Sequence, residues 1–263
     1  MTTHTNDMQL NQAAAIWVAR LDQLRLHRSG LLSLLSSAEL VRHQRYLQQD
    51  DRDRYLGGRA LVKLAVAKIC GISPGEIFVA TTATGKPFVL IPDKNIRVPA
   101  ISISHAGDLV VVALQYAAVL GVDVELFNHD VNLDDLMSVV CSEEEIAEIN
   151  LAPQKNRAKK FYEVWVLKEA YLKATGEGLS ANARRLAFSV DTASRVSLLR
   201  NPEDDNGGEW DFVLRQHDGQ HLIALASRKA RSGEWLEHAC KTEKNIPAFI
   251  DAGDLLGEYC SLE

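Results

Sequence analysis

Cysteine is scarce in this chain: Cys70, Cys141, Cys240 and Cys260 form no CxxC pair and have no histidine at zinc-ligand spacing. That excludes a zinc ribbon or finger and suits reduced, inert thiols in a cytoplasmic protein. No apolar run is long enough to cross a bilayer, and the opening MTTHTNDMQL lacks the basic start and apolar core of a signal peptide. Positive charge is also short, with 29 Lys and Arg against 35 Asp and Glu, a net charge of −6. Such a balance argues against nucleic acid as a partner but leaves room for a local basic pocket. No GxxxxGK[ST] loop is present to cradle a triphosphate, which excludes a P-loop nucleotide hydrolase. What is there is a globular composition, 46% hydrophobic and 24% charged over 263 residues, enough for one large domain or two small ones.

Within it, GVDVELF (121–127) sets Asp123 and Glu125 into an apolar run that reads as a buried strand. Residues i and i+2 of a strand share a face, about 7 Å apart, so both carboxylates project into one place. Partly desolvated like charges that close raise one another's pKa and call for a Lys, an Arg or a divalent cation. By itself the pair fits a strand edge as well as a ligand cluster.

Along the chain, AAAIWVARLDQL reads as a first strand, and residues 36–71 read as helical, opened by a serine cap and closed by Gly71. EIFVATTATGKPFVL predicts two short strands around a Gly85-Lys86-Pro87 turn. AISISHAGDLVVVALQY and AAVLGVDVELF add two strands and a third, followed by a helical stretch over Leu133–Asn150. The basic run 155–160 leads into the helix FYEVWVLKEAYLKAT, ended by Gly176; RLAFSV, WDFVLRQ and HLIALASRKA are further strands. Strand, helix, strands thus occurs twice, giving an α+β chain divided into residues 1–117, 118–230 and an appended tail, 231–263.

On the second long helix Phe161, Trp165 and Leu172 share one face, and Glu169 lies at its edge, one turn before Lys173. Alone, Glu169 and Lys173 would also fit an i, i+4 pair on a solvated face. Taken with Asp123 and Glu125, Glu169 completes an all-oxygen trio suited to a hard cation such as Mg²⁺.

GVDVE and WxxKEAxxKAxGxGL (Trp165, Lys168, Glu169, Ala170, Lys173, Ala174, Gly176, Gly178, Leu179) resemble the 4′-phosphopantetheinyl transferase superfamily in its Sfp-like branch. Ser102-Ile103-Ser104-His105 resembles the family's S-x-S-H strand end and Gly85-Lys86-Pro87 its G-K-P turn, all in family order. The resemblance implies two similar α/β halves with a pseudo-twofold, each a small antiparallel-type sheet on a long helix, with the active site in the cleft between them. It implies Mg²⁺-dependent transfer of 4′-phosphopantetheine from coenzyme A to a serine of an acyl, peptidyl or aryl carrier protein, with release of 3′,5′-ADP, by a cytoplasmic monomer. Asp123, Glu125 and Glu169 would hold the metal, Lys173 the pyrophosphate, and Lys168 would bind cofactor or instead brace Glu169 or the carrier. Glu145, in CSEEEIAEI, would be the general base, directly or through water, with Glu143 and Glu144 as adjacent alternatives, although that acidic run also fits a solvated first helical turn. Arg42, Arg54, Lys86, Ser104 and His105 would meet the phosphates and adenine, with Arg59 assisting or bracing its helix. Glu39 departs from a lysine that some relatives carry there, so one phosphate contact would be missing or be replaced by a neighbour such as Arg45.

Two rival readings are a non-catalytic coenzyme A or nucleotide-binding module, and another Mg²⁺ enzyme acting on phosphoanhydrides. The intact acid set and Lys173 count against the first; the WxxKEA block is unexplained by the second. The basic run 155–160 could steer an acidic partner, or be a solvated helix start.

Overall fold

The computed structural model describes residues 14–116, 118–127, 132–177, 183–201, 210–229 and 248–260. In chain order the elements are β1 (Ala15–Arg20), α1 (Leu21–Leu26), α2 (Arg28–Ser33), α3 (Ser37–Gln44), α4 (Gln49–Cys70), β2 (Phe78–Thr81), β3 (Pro87–Leu90), β4 (Ala100–Ala106) and β5 (Leu109–Gln115). There follow β6 (Ala118–Leu126), α5 (Leu133–Val140), α6 (Glu143–Leu151), α7 (Gln154–Thr175), β7 (Ala187–Val190), β8 (Val196–Arg200), β9 (Asp211–His217), β10 (His221–Lys229), β11 (Ala248–Asp251) and α8 (Gly253–Cys260). Among the described residues no helix is long and apolar enough to cross a membrane. The chain is of mixed α+β type and divides into two compact units, Met1–Ala118 with Ala230–Glu263, and Val119–Lys229.

In the first unit the sheet order is β11-β1-β5-β4. AIWVAR and LVVVALQ are buried almost throughout because β1 and β5 are the inner strands. β5 runs antiparallel to both β1 and β4, whereas β11 pairs parallel with β1, Ala15 opposite Ala248. This sheet is therefore mixed rather than antiparallel, and the segment read as an appended tail supplies its edge strand. Residues 231–247 of that segment lie outside the described residues, as does Cys240. α4 lies on the sheet and is buried over Leu56–Ala67. Its Gly58 sits where a Cβ would come within 3.0 Å of Ile103 on β4.

Two local readings differ from the structure. LDQL is helical, because Leu21 and Leu24 are buried at a spacing of three and the Gln23 side chain accepts from the Arg20 N–H to cap the turn. The predicted helix over 36–71 breaks after α3. Gln48 starts α4 with Asp50 and Asp51 in its first turn, and Arg52 Nε donates to the Tyr46 carbonyl stranded in the break, at 2.8 Å. The two predicted terminators hold: Gly71 and Gly176 both sit in the left-handed region, φ 67° and 78°, with N–H groups bonded back to Ala67 and Leu172.

In the second unit β6, β10 and β9 form a sheet in that order, and α7 packs on β10 with its own apolar cluster of Phe161, Leu167, Leu172, Leu222 and Ala224. The predicted helix over 133–150 divides at Cys141. Ser142 and Glu145 form a reciprocal capping box that starts α6 afresh.

The decisive contact is at Gly121 of β6. A Cβ there would stand 2.0 Å from the Ala170 carbonyl oxygen and 2.4 Å from the Ala174 nitrogen of α7. Strand and helix touch backbone to backbone, which only glycine permits. Both clashes are with backbone atoms that cannot rotate away, so Gly121→Ala is expected to cost about 3 kcal/mol or more. Denaturant unfolding checks this; a loss under about 1 kcal/mol would mean the two elements can separate freely.

Candidate active site

Alternation along β6 puts Gly121, Asp123 and Glu125 on one face, and the contact at Gly121 shows that this face is turned to α7. On α7, Ala170 and Ala174 touch Gly121; Glu169 and Lys173, one position earlier and likewise four apart, lie beside them. The Lys173 Nζ donates to Asp123 Oδ1 at 2.6 Å, with Asp123 only 3% exposed. Burial pushes the Glu125 carboxyl up to about 7; the Asp123 and Glu169 charges add to the rise, while Lys173 and a hydrogen bond from Trp165 oppose it. Burial likewise raises Glu169 to about 7, with Asp123 adding and Lys173 opposing. Three carboxylates and one ammonium thus share a half-buried patch with excess negative charge. Among the described residues the three do not offer oxygens all within 4.8 Å of one another.

Two residues expected at the chemistry lie elsewhere. Lys168 is 0% exposed and Glu145 2%, and their Nζ and Oε2 are 2.6 Å apart. Lys168 spends its other two protons on the Val140 and Ala183 carbonyls, at 2.8 and 3.0 Å. Glu145 Oε2 also accepts from the Ser142 N–H, and Oε1 accepts from the Phe188 N–H at 2.8 Å. A carboxylate so enclosed cannot meet a carrier serine, and this ammonium cannot meet a phosphate. Glu145 as base and Lys168 as cofactor ligand are therefore corrected to a buried ion pair. The same burial pushes the Cys141 thiol up to about 12, in keeping with an inert cysteine.

In the first unit, Ser104 is buried and His105 exposed at the end of β4, opposite Val111 and Val110. Arg54 holds the turn that follows: its Nε and Nη2 donate to the Gly107 carbonyl at 2.8 and 2.6 Å, and Nη1 donates to Asp51. Arg42 and Arg59 lie over the Tyr55 ring, 5.7 and 5.5 Å from its centroid. Arg42 and Arg45 line an open hollow of about 830 Å³ with Val41 and Tyr46. Lys86 sits in the β2–β3 turn, whose Gly85 has φ 86°. Glu39 caps Ser36 and pairs with buried Lys63 at 2.8 Å, so the residue that departs from the family pattern is committed inside the fold. Gly178 and Leu179 of the long motif lie outside the described residues.

Two family models match the chain, and they meet at the boundary of the two units. Residues 22–117 match the 4′-phosphopantetheinyl transferase N-terminal family and residues 119–226 the 4′-phosphopantetheinyl transferase superfamily. A phosphopantetheinyl transferase of Thraustochytrium sp. is 30% identical over 228 residues, 81% of this chain and 78% of that one. The chain belongs to the 4′-phosphopantetheinyl transferase superfamily. The 4′-phosphopantetheinyl transferase HetI of Nostoc sp. is 28% identical, covering 75% of this chain and 86% of its own, and that of Bacillus subtilis 26%, covering 74% and 82%.

Within this superfamily chain, the donor set on β6 and α7 fits a hard divalent cation: oxygen ligands only, two of them disfavoured as bare anions by burial and by each other. Sequence reasoning found these residues from spacing. It missed Trp165 as a donor to Glu125, and it missed Gly121, whose signal was a glycine beside two acids in a strand.

Because Glu125 and Glu169 are raised from 4.5 to about 7, the folded chain holds more protons than the unfolded one between those values. Stability contributed here is full below pH 4.5 and lost as pH rises through 7. Melting temperatures in EDTA are expected to fall over that window in the wild type, and less in Glu125→Gln/Glu169→Gln. Equal slopes would overturn the electrostatic account.

Proposed function

We propose that this chain transfers the 4′-phosphopantetheine arm of coenzyme A to a serine hydroxyl of an apo carrier protein, releasing 3′,5′-ADP. The observation that carries this is the gathering of Asp123, Glu125 and Glu169 around Lys173 in the unit matching the superfamily. The names of its relatives support the same activity. Both units lay a 22-residue helix on a sheet, which supports the reading of two similar halves.

The serine oxygen attacks the phosphorus that bears the pantetheine arm, and the bond from that phosphorus to the ADP-side bridging oxygen breaks. Asp123, Glu125 and Glu169 would hold Mg²⁺, which would supply Lewis-acid stabilisation of the pyrophosphate. The Lys173 ammonium, 32% exposed at its side chain, is placed to turn toward phosphate oxygens and stabilise the charge that collects on the leaving group. With Glu145 enclosed, the serine proton is assigned to Glu169, directly or through one water. His105, exposed at its strand end, and Arg54, which holds the adjoining turn, are the groups assigned to the 3′-phosphate. Arg42 and Lys86 are assigned to the nucleotide end as well. The reading extends to a monomeric cytoplasmic enzyme.

Purified protein, coenzyme A, Mg²⁺ and several apo carriers are expected to yield carrier heavier by one phosphopantetheine in intact-mass spectra. Asp123→Ala and Lys173→Ala should each cut the rate about a hundredfold or more with the fold retained; normal turnover in either would remove the metal and pyrophosphate assignments. His105→Ala should lose the preference for coenzyme A over 3′-dephospho-coenzyme A, measured as a ratio of kcat/KM. An unchanged ratio takes His105 out of the phosphate site.

A further inference from the structure

Lys168 and Glu169 are neighbours on α7, about 100° apart around the helix. One is sealed in the protein and the other faces the acids of β6. The atoms that seal Lys168 come from separate elements: the Val140 carbonyl ends α5, Ala183 lies in the 3₁₀ turn Ala183–Arg185, and Glu145 stands in the first turn of α6. Glu145 in turn accepts from the Phe188 N–H of β7. Every proton of the ammonium and both oxygens of the carboxylate are engaged, which ties α7 at this point to α5, α6, the 3₁₀ turn and, through Glu145, β7. The backbone contact at Gly121 fixes the same helix from the β6 side, one residue beyond Glu169.

We infer that the Glu145–Lys168 pair is a positioning device for the transferase reaction. It clamps the rotation of α7 so that Glu169 and Lys173 are presented together to Asp123 and Glu125, and it takes no part in proton transfer. This rests on the function proposed above. A hydrophobic pair could close the same space at similar stability, but it would leave the helix free to turn by the few degrees that decide whether Glu169 shares an ion with β6.

The test uses the full chain as wild type, Glu145→Gln, Lys168→Met and the double variant. Three quantities are read: melting temperature, the Mn²⁺ concentration that half-saturates its rise, and kcat and KM for transfer across pH. Lys168→Met strands a buried carboxylate and is expected to lower the melting temperature by more than about 5 °C. The double variant carries no buried charge and keeps an acceptor for the Phe188 N–H, although its amide cannot also accept from the Ser142 N–H, so it should regain part of that loss. Its Mn²⁺ midpoint and kcat are nonetheless expected to stay roughly tenfold or more worse than wild type, with KM for coenzyme A unchanged. Glu145→Gln should keep both limbs of the pH–kcat profile. The inference is overturned if the double variant recovers Mn²⁺ midpoint and kcat along with its melting temperature, since the pair would then serve stability alone. It is equally overturned if Glu145→Gln erases a limb of the profile, which would make Glu145 the base. The Mn²⁺ midpoint needs no turnover, so a wild type that modifies no carrier would sink the functional reading while the clamp is still decided by melting.

Discussion

The backbone contact between β6 and α7 at Gly121 governs the rest of the candidate site. A strand carrying two acids and a helix carrying an acid and a lysine come close enough to share one patch because a side chain is missing where they cross. A side chain there would meet the Ala170 and Ala174 backbone and push strand and helix apart. The closeness that lets Lys173 meet Asp123 is also what crowds Glu125 and Glu169 into the same partly buried space. Attraction and repulsion here have one geometric origin. The chain carries the repulsion because the rest of α7, with Phe161, Leu167 and Leu172 buried against β10, supplies ample apolar burial.

α7 carries two kinds of charge on two faces. Toward β6 its charges are half-exposed and incompletely neutralised, which suits groups that must bind and release a polyanion. On the other face Lys168 is neutralised by Glu145 and held by two carbonyls, which suits a fixed point. The first unit repeats the distinction: Glu39 and Lys63 are paired inside, whereas His105 stands exposed and Arg42 lines an open hollow.

Much of this was legible in the linear chain. Asp123 and Glu125 share a face by the period of a strand, Glu169 and Lys173 by that of a helix, and Gly71 and Gly176 mark helix ends by their conformational freedom. Glu145 was not legible. Its Ser142-x-x-Glu145 capping box can be read locally, but its burial depends on Lys168 and on the Phe188 N–H, 23 and 43 residues away, and nothing in an acidic run distinguishes an enclosed carboxylate from a solvated one. The parallel edge strand β11 was missed for a similar reason: four residues, AFID, carry too little pattern, and pairing with β1 is a long-range event.

By itself the sequence determined the periodic placement of the acids, the turns and helix stops, and the motif order shared with a superfamily, because these depend on spacing along a regular backbone. Tertiary structure decided which charges are spent inside the fold and which remain for chemistry, because burial and ion pairing are set by elements distant in the chain that meet only when it is packed.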